Sequence, residues 1–257
     1  MSEKNRDGKR TARERMAVER EKQKAAEKRR RTLIVGASVV CVLGLAAVIG
    51  VVAANAGKDK STGAGPAVAP SGAKGKDSLA IPVGKDGAKS TLTVWEDFRC
   101  PACQAFEAAY RPTLHELSDA GKLRVEYHLV RLIDGNLGGS GSLRAANAAA
   151  CAQDAGKFRD YHDVLYANQP KETDDAFADN DKLIALAGKV KGLDTPAFRK
   201  CVEEGTHDAW VEKSNQAFRT GGFSGTPTVL LDGKNIYQDQ TMTPAKLKQL
   251  VESAHRG

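Results

Sequence analysis

Two cysteines separated by two residues, Cys100 and Cys103, stand where the chain changes character. Before them, Thr91-Leu92-Thr93-Val94-Trp95-Glu96-Asp97 alternates and is β-branched as a buried strand should be; after them, Gln104 to Tyr110 is rich in helix formers. The pair therefore opens a helix. There the unpaired amides and the positive end of the dipole stabilise a thiolate at the first sulfur, below the free-thiol pKa of about 8.5. Cys100 is expected to attack, and Cys103, one turn on, to resolve any mixed disulfide formed on Cys100. The bland alternatives are half a zinc site or a structural disulfide. A zinc site wants four ligands, whereas Cys41, Cys151 and Cys201 stand alone, so no metal is expected, and no other cofactor.

A carboxylate beneath the buried sulfur would relay its proton, and Glu96 and Asp97, at the end of the preceding strand, are the candidates. Alternation lets only one of them point inward, and a solvated strand end for both is the competing reading. Far downstream, Gly225-Thr226-Pro227-Thr228 leads into the apolar run Val229-Leu230-Leu231 and the turn Asp232-Gly233. Proline at a strand mouth is either an ordinary trans residue or the one common cis peptide. His115, His128, His162 and His207 share no spacing that points to a metal or a triad and read as surface or packing residues. Phe106, Tyr110, Phe158, Tyr161, Trp210 and Phe218 read as core.

Taken together, Asp97-Phe98-Arg99-Cys100-Pro101-Ala102-Cys103, the segment from Tyr161 to Gln169, and Gly225-Thr226-Pro227-Thr228 before a strand resemble the DsbA-like branch of the thioredoxin superfamily, the disulfide oxidoreductases of bacterial envelopes. The resemblance covers residues 79–254. It implies a cis bond at Pro227 beside the redox pair, and a substrate platform at Thr226 and Pro227 where backbone pairs with an extended peptide. It also implies an α/β thioredoxin-like fold with an inserted helical subdomain. The dipeptide between the cysteines is Pro-Ala, whereas the best-known oxidases of the family carry Pro-His, so one stabiliser of the thiolate is missing.

The elements that would position this chemistry follow from the rest of the chain. Met1 to Arg31 carries 13 Lys/Arg against 6 Asp/Glu, which accounts for the whole net charge of +7 and leaves 26 of each sign elsewhere. Nucleic acid is thus not an expected partner, and residues 1–32 read as a basic cytoplasmic arm. Residues 33–54 run without a charge for 22 residues, enough to cross a hydrocarbon core of about 30 Å. Lys28-Arg29-Arg30-Arg31 abuts their start and places that end in the cytoplasm. A cleaved signal peptide is the alternative, since Ala54-Asn55-Ala56 has the form of a cleavage site, but the apolar stretch is longer than the usual h-region of about 7–15 residues. Cys41, mid-span, reads as a small apolar filler. Residues 55–78, rich in Gly, Ala, Pro, Ser and Lys, read as a flexible linker.

Within 79–254, a strand at Leu123–Val130 is followed by a Gly-rich loop from Gly135 to Gly141. Helices are then expected at Leu143–Ala155, Phe158–Asn168, Asp181–Lys191, Pro196–Glu204 and Ala209–Phe218, so the helical insertion covers about 141–221. Thr195-Pro196 is an N-cap with Pro at the first helical position, and Gly221-Gly222 a terminator. The chain returns through strands at Thr228–Leu231 and Ile236-Tyr237 and closes with a helix begun at Thr243-Pro244. Cys151 and Cys201 fall inside helices of the insertion. Outside the cell two unpaired thiols would be a liability, so a structural disulfide between them is expected, with two buried free thiols as the alternative.

These readings converge on a membrane-anchored thiol:disulfide oxidoreductase, single-pass, with its catalytic domain outside the cytoplasm. It would exchange disulfides with exported proteins, mostly to form them, and a membrane redox partner would reoxidise it. The same chemistry run backwards, as a reductase or isomerase, is the nearest alternative. A redox-inactive peptide-binding module is the alternative from another class, disfavoured because pure binding would not need a second thiol.

Overall fold

The computed structural model describes residues 66–239 and 241–256. The expected arm, the expected membrane span at 33–54 and residues 55–65 of the expected linker lie outside the described residues. Among the described residues no helix is long and apolar enough to cross a membrane.

Five strands form one sheet: β1 (Ile81–Val83), β2 (Ser90–Glu96), β3 (Leu123–Leu129), β4 (Thr228–Leu231) and β5 (Lys234–Asn235), in the order β1-β3-β2-β4-β5. β2 and β3 run parallel, Ser90 opposite Leu123 through Glu96 opposite Leu129, and the other pairs are antiparallel. The helices are α1 (Pro101–Asp119), α2 (Leu132–Leu137), α3 (Gly141–Asp154), α4 (Phe158–Ala167), α5 (Asn180–Ala187), α6 (Pro196–Glu204), α7 (Asp208–Thr220) and α8 (Pro244–Arg256). Both faces of the sheet are covered, which is why β2 buries nearly every side chain. On one face Tyr127 packs against Phe158 and His162 of α4; on the other Trp95 stacks on His128 at 3.9 Å and meets Phe218 of α7. The chain is thus an α/β thioredoxin-like fold with a helical subdomain inserted between β3 and β4.

The expected caps form: the Thr195 hydroxyl accepts the Phe198 amide at 3.2 Å, and Gly222, at φ 76°, ends α7. Cys151 of α3 and Cys201 of α6 are joined in a disulfide that ties two helices of the insertion.

The structure departs from the sequence reading in several places: strand β1 is not among the expected strands, and the helix expected at Asp181–Lys191 ends at Ala187. The second strand of the hairpin is Lys234–Asn235, not Ile236-Tyr237, because Asp232 and Gly233 both take positive φ and form a two-residue loop that pairs Leu231 directly with Lys234. Residues 132–137, of which 135–137 are expected to lie in the Gly-rich loop, are the short helix α2. Its first turn has no cap of its own; the Asp97 carboxylate, from the end of β2, accepts the Ile133 amide at 2.8 Å and supplies one. Finally, the expected linker does not extend to Ser78. Val68 accepts a hydrogen bond from His207, Ser71 is bonded to Asp154 and Gln153, and the Trp210 indole donates to the Ser78 carbonyl, so that part of the segment belongs to the folded domain.

Candidate active site

Cys100 occupies the N-cap position of α1, with Pro101 at the first helical position, where a missing amide costs nothing. Its sulfur is nearly buried, and Cys103 is fully so. Both are free thiols. The Cys103 thiol's hydrogen bond to the Cys100 sulfur, together with Thr226 and the amides of Cys103 and Ala102, outweighs burial and holds Cys100 down at about 6. Burial, the neighbouring Cys100 sulfur and the Glu96 carboxylate push Cys103 the opposite way, well above the ordinary thiol range. Two sulfurs three residues apart are thereby separated into a thiolate at neutral pH and a protonated thiol.

The peptide bond between Thr226 and Pro227 is cis. The loop brings the Thr226 carbonyl oxygen to 3.3 Å from the Cys100 sulfur, where it accepts the proton of the thiol form. Pro227 is buried. Beside this loop runs a groove of about 220 Å³ whose walls include Phe106, Tyr110, Ile236, Tyr237 and Met242. Tyr110, expected in the core, is half-buried and donates its hydroxyl to the Met242 carbonyl at 2.8 Å. Tyr237 is exposed; burial of its phenol and the charges of Cys103 and Cys100 raise its pKa.

Glu96 and Asp97 are both buried, so neither alternation nor a solvated strand end describes them. The reason is that β2 ends at Glu96. Asp97 is already in the turn, folded back to accept the amides of Arg99 and Ile133, each at 2.8 Å, although burial pushes its carboxyl up to about 7. Glu96 is the one whose charge acts on Cys103. Its Oε1 meets His162 Nε2 at 2.7 Å, while its Oε2 is buried without a partner.

Several functional residues escaped the sequence reading. His162, taken as a packing residue, is fully buried between acids: burial opposes its charge, yet Glu96 and Asp163 carry it up to about 10. Glu107, four residues beyond Cys103 on α1, completes the cluster; its carboxylate, that of Glu96 and the His162 imidazole offer atoms all within 4.8 Å of one another. Burial above all pushes the Glu107 carboxyl up to about 8. The i, i+3, i+4 spacing of Cys103, Phe106 and Glu107 places Glu107 on the buried face, a signal legible in the sequence. With His162 Nε2 held by Glu96, the three side chains form a buried acid–base group. Cys151, Cys201 and His207 also lie together, but their sulfurs are spent in the disulfide.

Arg99, next to Cys100, is the third omission. Its buried guanidinium donates to Asp134 at 2.7 Å, to Gly138 and Glu172 carbonyls, and pairs with Asp175 at 2.8 Å. Asp134 in turn accepts the amides of Ser142 and Leu143, and Asp175 those of Ser140 and Gly141, so two acids from elsewhere cap the start of α3. Gly141 is required there, since a Cβ would meet Asp175 Oδ1 at 2.5 Å. From the other side Gln169 donates to the carbonyls of Phe98 at 2.8 Å and Cys100 at 3.1 Å. The insertion thus holds the redox loop at both ends.

A helix-capping thiolate, a buried partner thiol and a cis-proline loop on this sheet define a protein-disulfide oxidoreductase. A family profile described as thioredoxin matches residues 77–253, and the chain belongs to that family, in its DsbA-like branch. The probable disulfide bond formation protein D of Bacillus cereus is 28% identical over 154 residues, covering 59% of this chain and 69% of the relative. The reduced form of DsbG from Mycobacterium tuberculosis superposes with a TM-score of 0.60 at 29% identity, covering 69% of this chain and 88% of that one. Oxidised DsbA from the same organism gives 0.58 at 30% identity, covering 68% and 92%.

Proposed function

We propose that this protein forms disulfides in exported proteins, using Cys100 and Cys103 as its redox pair, from a membrane anchor at residues 33–54 with the domain outside the cytoplasm. The observation that carries the direction of reaction is the lowered Cys100 pKa, because stabilising the thiolate stabilises the reduced enzyme and makes its disulfide the stronger oxidant. The similarity to a Bacillus disulfide bond formation protein supports the same direction.

A substrate thiolate attacks the enzyme disulfide at the Cys100 sulfur, and Cys103 leaves as a thiolate and is protonated. The substrate's second thiolate then attacks the mixed disulfide, its own sulfur–sulfur bond forms, and Cys100 departs as a thiolate. Two electrons pass from substrate to enzyme. A membrane redox partner takes them up and restores the Cys100–Cys103 disulfide. Thr226 and Pro227 form the platform for the extended substrate, with the groove at Phe106 and Tyr237 receiving its apolar side chains.

Equilibration with glutathione redox buffers tests the reading. A potential near the about −120 to −180 mV range of oxidases and isomerases is expected, and a value near the about −270 mV of thioredoxin would assign the protein to reduction.

A further inference from the structure

Cys103 has no exposed surface, yet it must lose a proton whenever it attacks a mixed disulfide on Cys100 and regain one whenever it leaves. Four side chains connect its surroundings to solvent. Glu96 Oε2 is buried and unpartnered, and Glu96 Oε1 meets His162 Nε2 at 2.7 Å. On the far side of the imidazole, His162 Nδ1 faces Oδ1 of the partly exposed Asp163 at 3.6 Å. Asp163 Oδ2 meets His115 Nε2 at 3.3 Å, and the His115 side chain is 32% exposed.

We propose that the Cys103 proton enters and leaves through Glu96, His162, Asp163 and His115, an alternating file of carboxylates and imidazoles from the buried sulfur to the surface of α1. The inference rests on Cys103 as the resolving thiol. When Cys103 is deprotonated, its S–H bond breaks and the proton lands on Glu96 Oε2, while His162 gives its Nδ1 proton to Asp163. Asp163 passes that proton to His115 and so to water. The Glu96–His162 pair changes from carboxylate and imidazolium to carboxylic acid and neutral imidazole, so one proton has left the protein and the only new charge is the thiolate that attacks. Reduction of the disulfide runs the same transfers backwards.

The surroundings suit this exchange. From α1, Glu107 and Arg111 face the file, with Arg111 Nε 3.2 Å from Asp163 Oδ1; β3 contributes Tyr127, and α4 contributes Tyr166 and, near His115, Arg159, with Asp119 beyond it. Burial holds His115 below its ordinary pKa, against the pull of the Asp163 carboxylate, so the imidazole at the exit does not retain a proton strongly.

The test is the reaction of the reduced full-length protein with oxidised glutathione, followed by rapid acid quench and mass mapping of glutathione on Cys100. The Asp163→Asn and His115→Gln variants lie at partly exposed positions and keep Glu96 and His162 themselves; because Asp163 also helps to hold the charge on His162, His115→Gln, which leaves Asp163 in place, is the variant that reads the route alone. Each is expected to form the mixed disulfide at the wild-type rate but to resolve it roughly tenfold more slowly at neutral pH, with an enlarged solvent deuterium effect on that step alone. Asp163→Glu should restore the rate, and added imidazole should rescue His115→Gln. Resolution within about twofold of wild type in both surface variants would overturn the route. No glutathione on Cys100 in any variant would instead overturn the exchange reading itself.

Discussion

The Cys100 sulfur lies 3.3 Å from the carbonyl oxygen of Thr226, a residue 126 positions further along the chain. The attacking sulfur and the backbone that would hold a substrate strand are thus in one contact, and a peptide paired with Thr226 would carry its own sulfur to Cys100 without further movement of the loop.

The split between the two sulfurs predicts an asymmetry in trapping. Cys103→Ala leaves the Cys100 thiolate without its resolving partner and should accumulate mixed disulfides with exported proteins, whereas Cys100→Ala keeps only the fully buried, protonated Cys103 and should yield at least about tenfold fewer. Non-reducing gels of membranes read the result. Equal trapping by both variants would sink the assignment of Cys100 as nucleophile.

The lowered Cys100 pKa makes stability depend on pH with a definite sign. A thiol whose folded pKa lies below its unfolded value stabilises the dithiol form fully above the unfolded value of 9.0 and loses that contribution as pH falls through about 6. Thermal unfolding of the reduced protein should therefore gain on the oxidised protein between about pH 6 and pH 9, and thiolate absorbance should titrate with a midpoint near 6. Ala102→His adds a cation beside the sulfur and should lower that midpoint and make the disulfide more oxidising. A wild-type midpoint at the free-thiol value of about 8.5 would remove the case for an activated Cys100.

The bridge between Cys151 and Cys201 closes a loop of sequence separation 50. On the chain-entropy treatment the Cys151→Ala, Cys201→Ala double variant should lose about 4 kcal/mol of stability, measured by denaturant unfolding. Thiol exchange at Cys100 should persist, since neither residue approaches the redox pair. Loss of exchange in a variant that remains folded would give the bridge a catalytic role.

Arg99 holds Asp134 and Asp175, which in turn cap α3. Arg99→Ala strands the buried Asp134 carboxylate and should cost about 3–5 kcal/mol. The Cys100 midpoint should move little, because the guanidinium points into the insertion and not at the sulfur. A large shift of that midpoint in a folded Arg99→Ala protein would show that Arg99 tunes the thiolate directly.

The proposed anchor makes a prediction about topology. Protease added to intact protoplasts should remove the folded domain, which includes Val68 to Ser78, and spare the basic arm before residue 33. A mature protein beginning near Gly57 would show instead that the apolar run is a cleaved signal.

The redox pair, the helix it opens, the proline loop and the order of strands and insertion helices were legible in the sequence because each is written locally. A cysteine spacing, a change from period 2 to period 3.6, an N-cap followed by proline and a Gly-Gly terminator all act within a few residues. Even the burial of Glu107 follows from its spacing after Cys103 and Phe106. Tertiary structure alone decided which polar groups inside the domain would serve one another. Strand alternation says nothing about Asp97 once β2 has ended, and no local signal tells that Arg99 will reach Asp134 and Asp175, or that His162 will settle between Glu96 and Glu107. A buried charge takes its position from the partners that offset its desolvation, and here those partners come from β2, α1 and α4, brought together only when the insertion closes over the sheet.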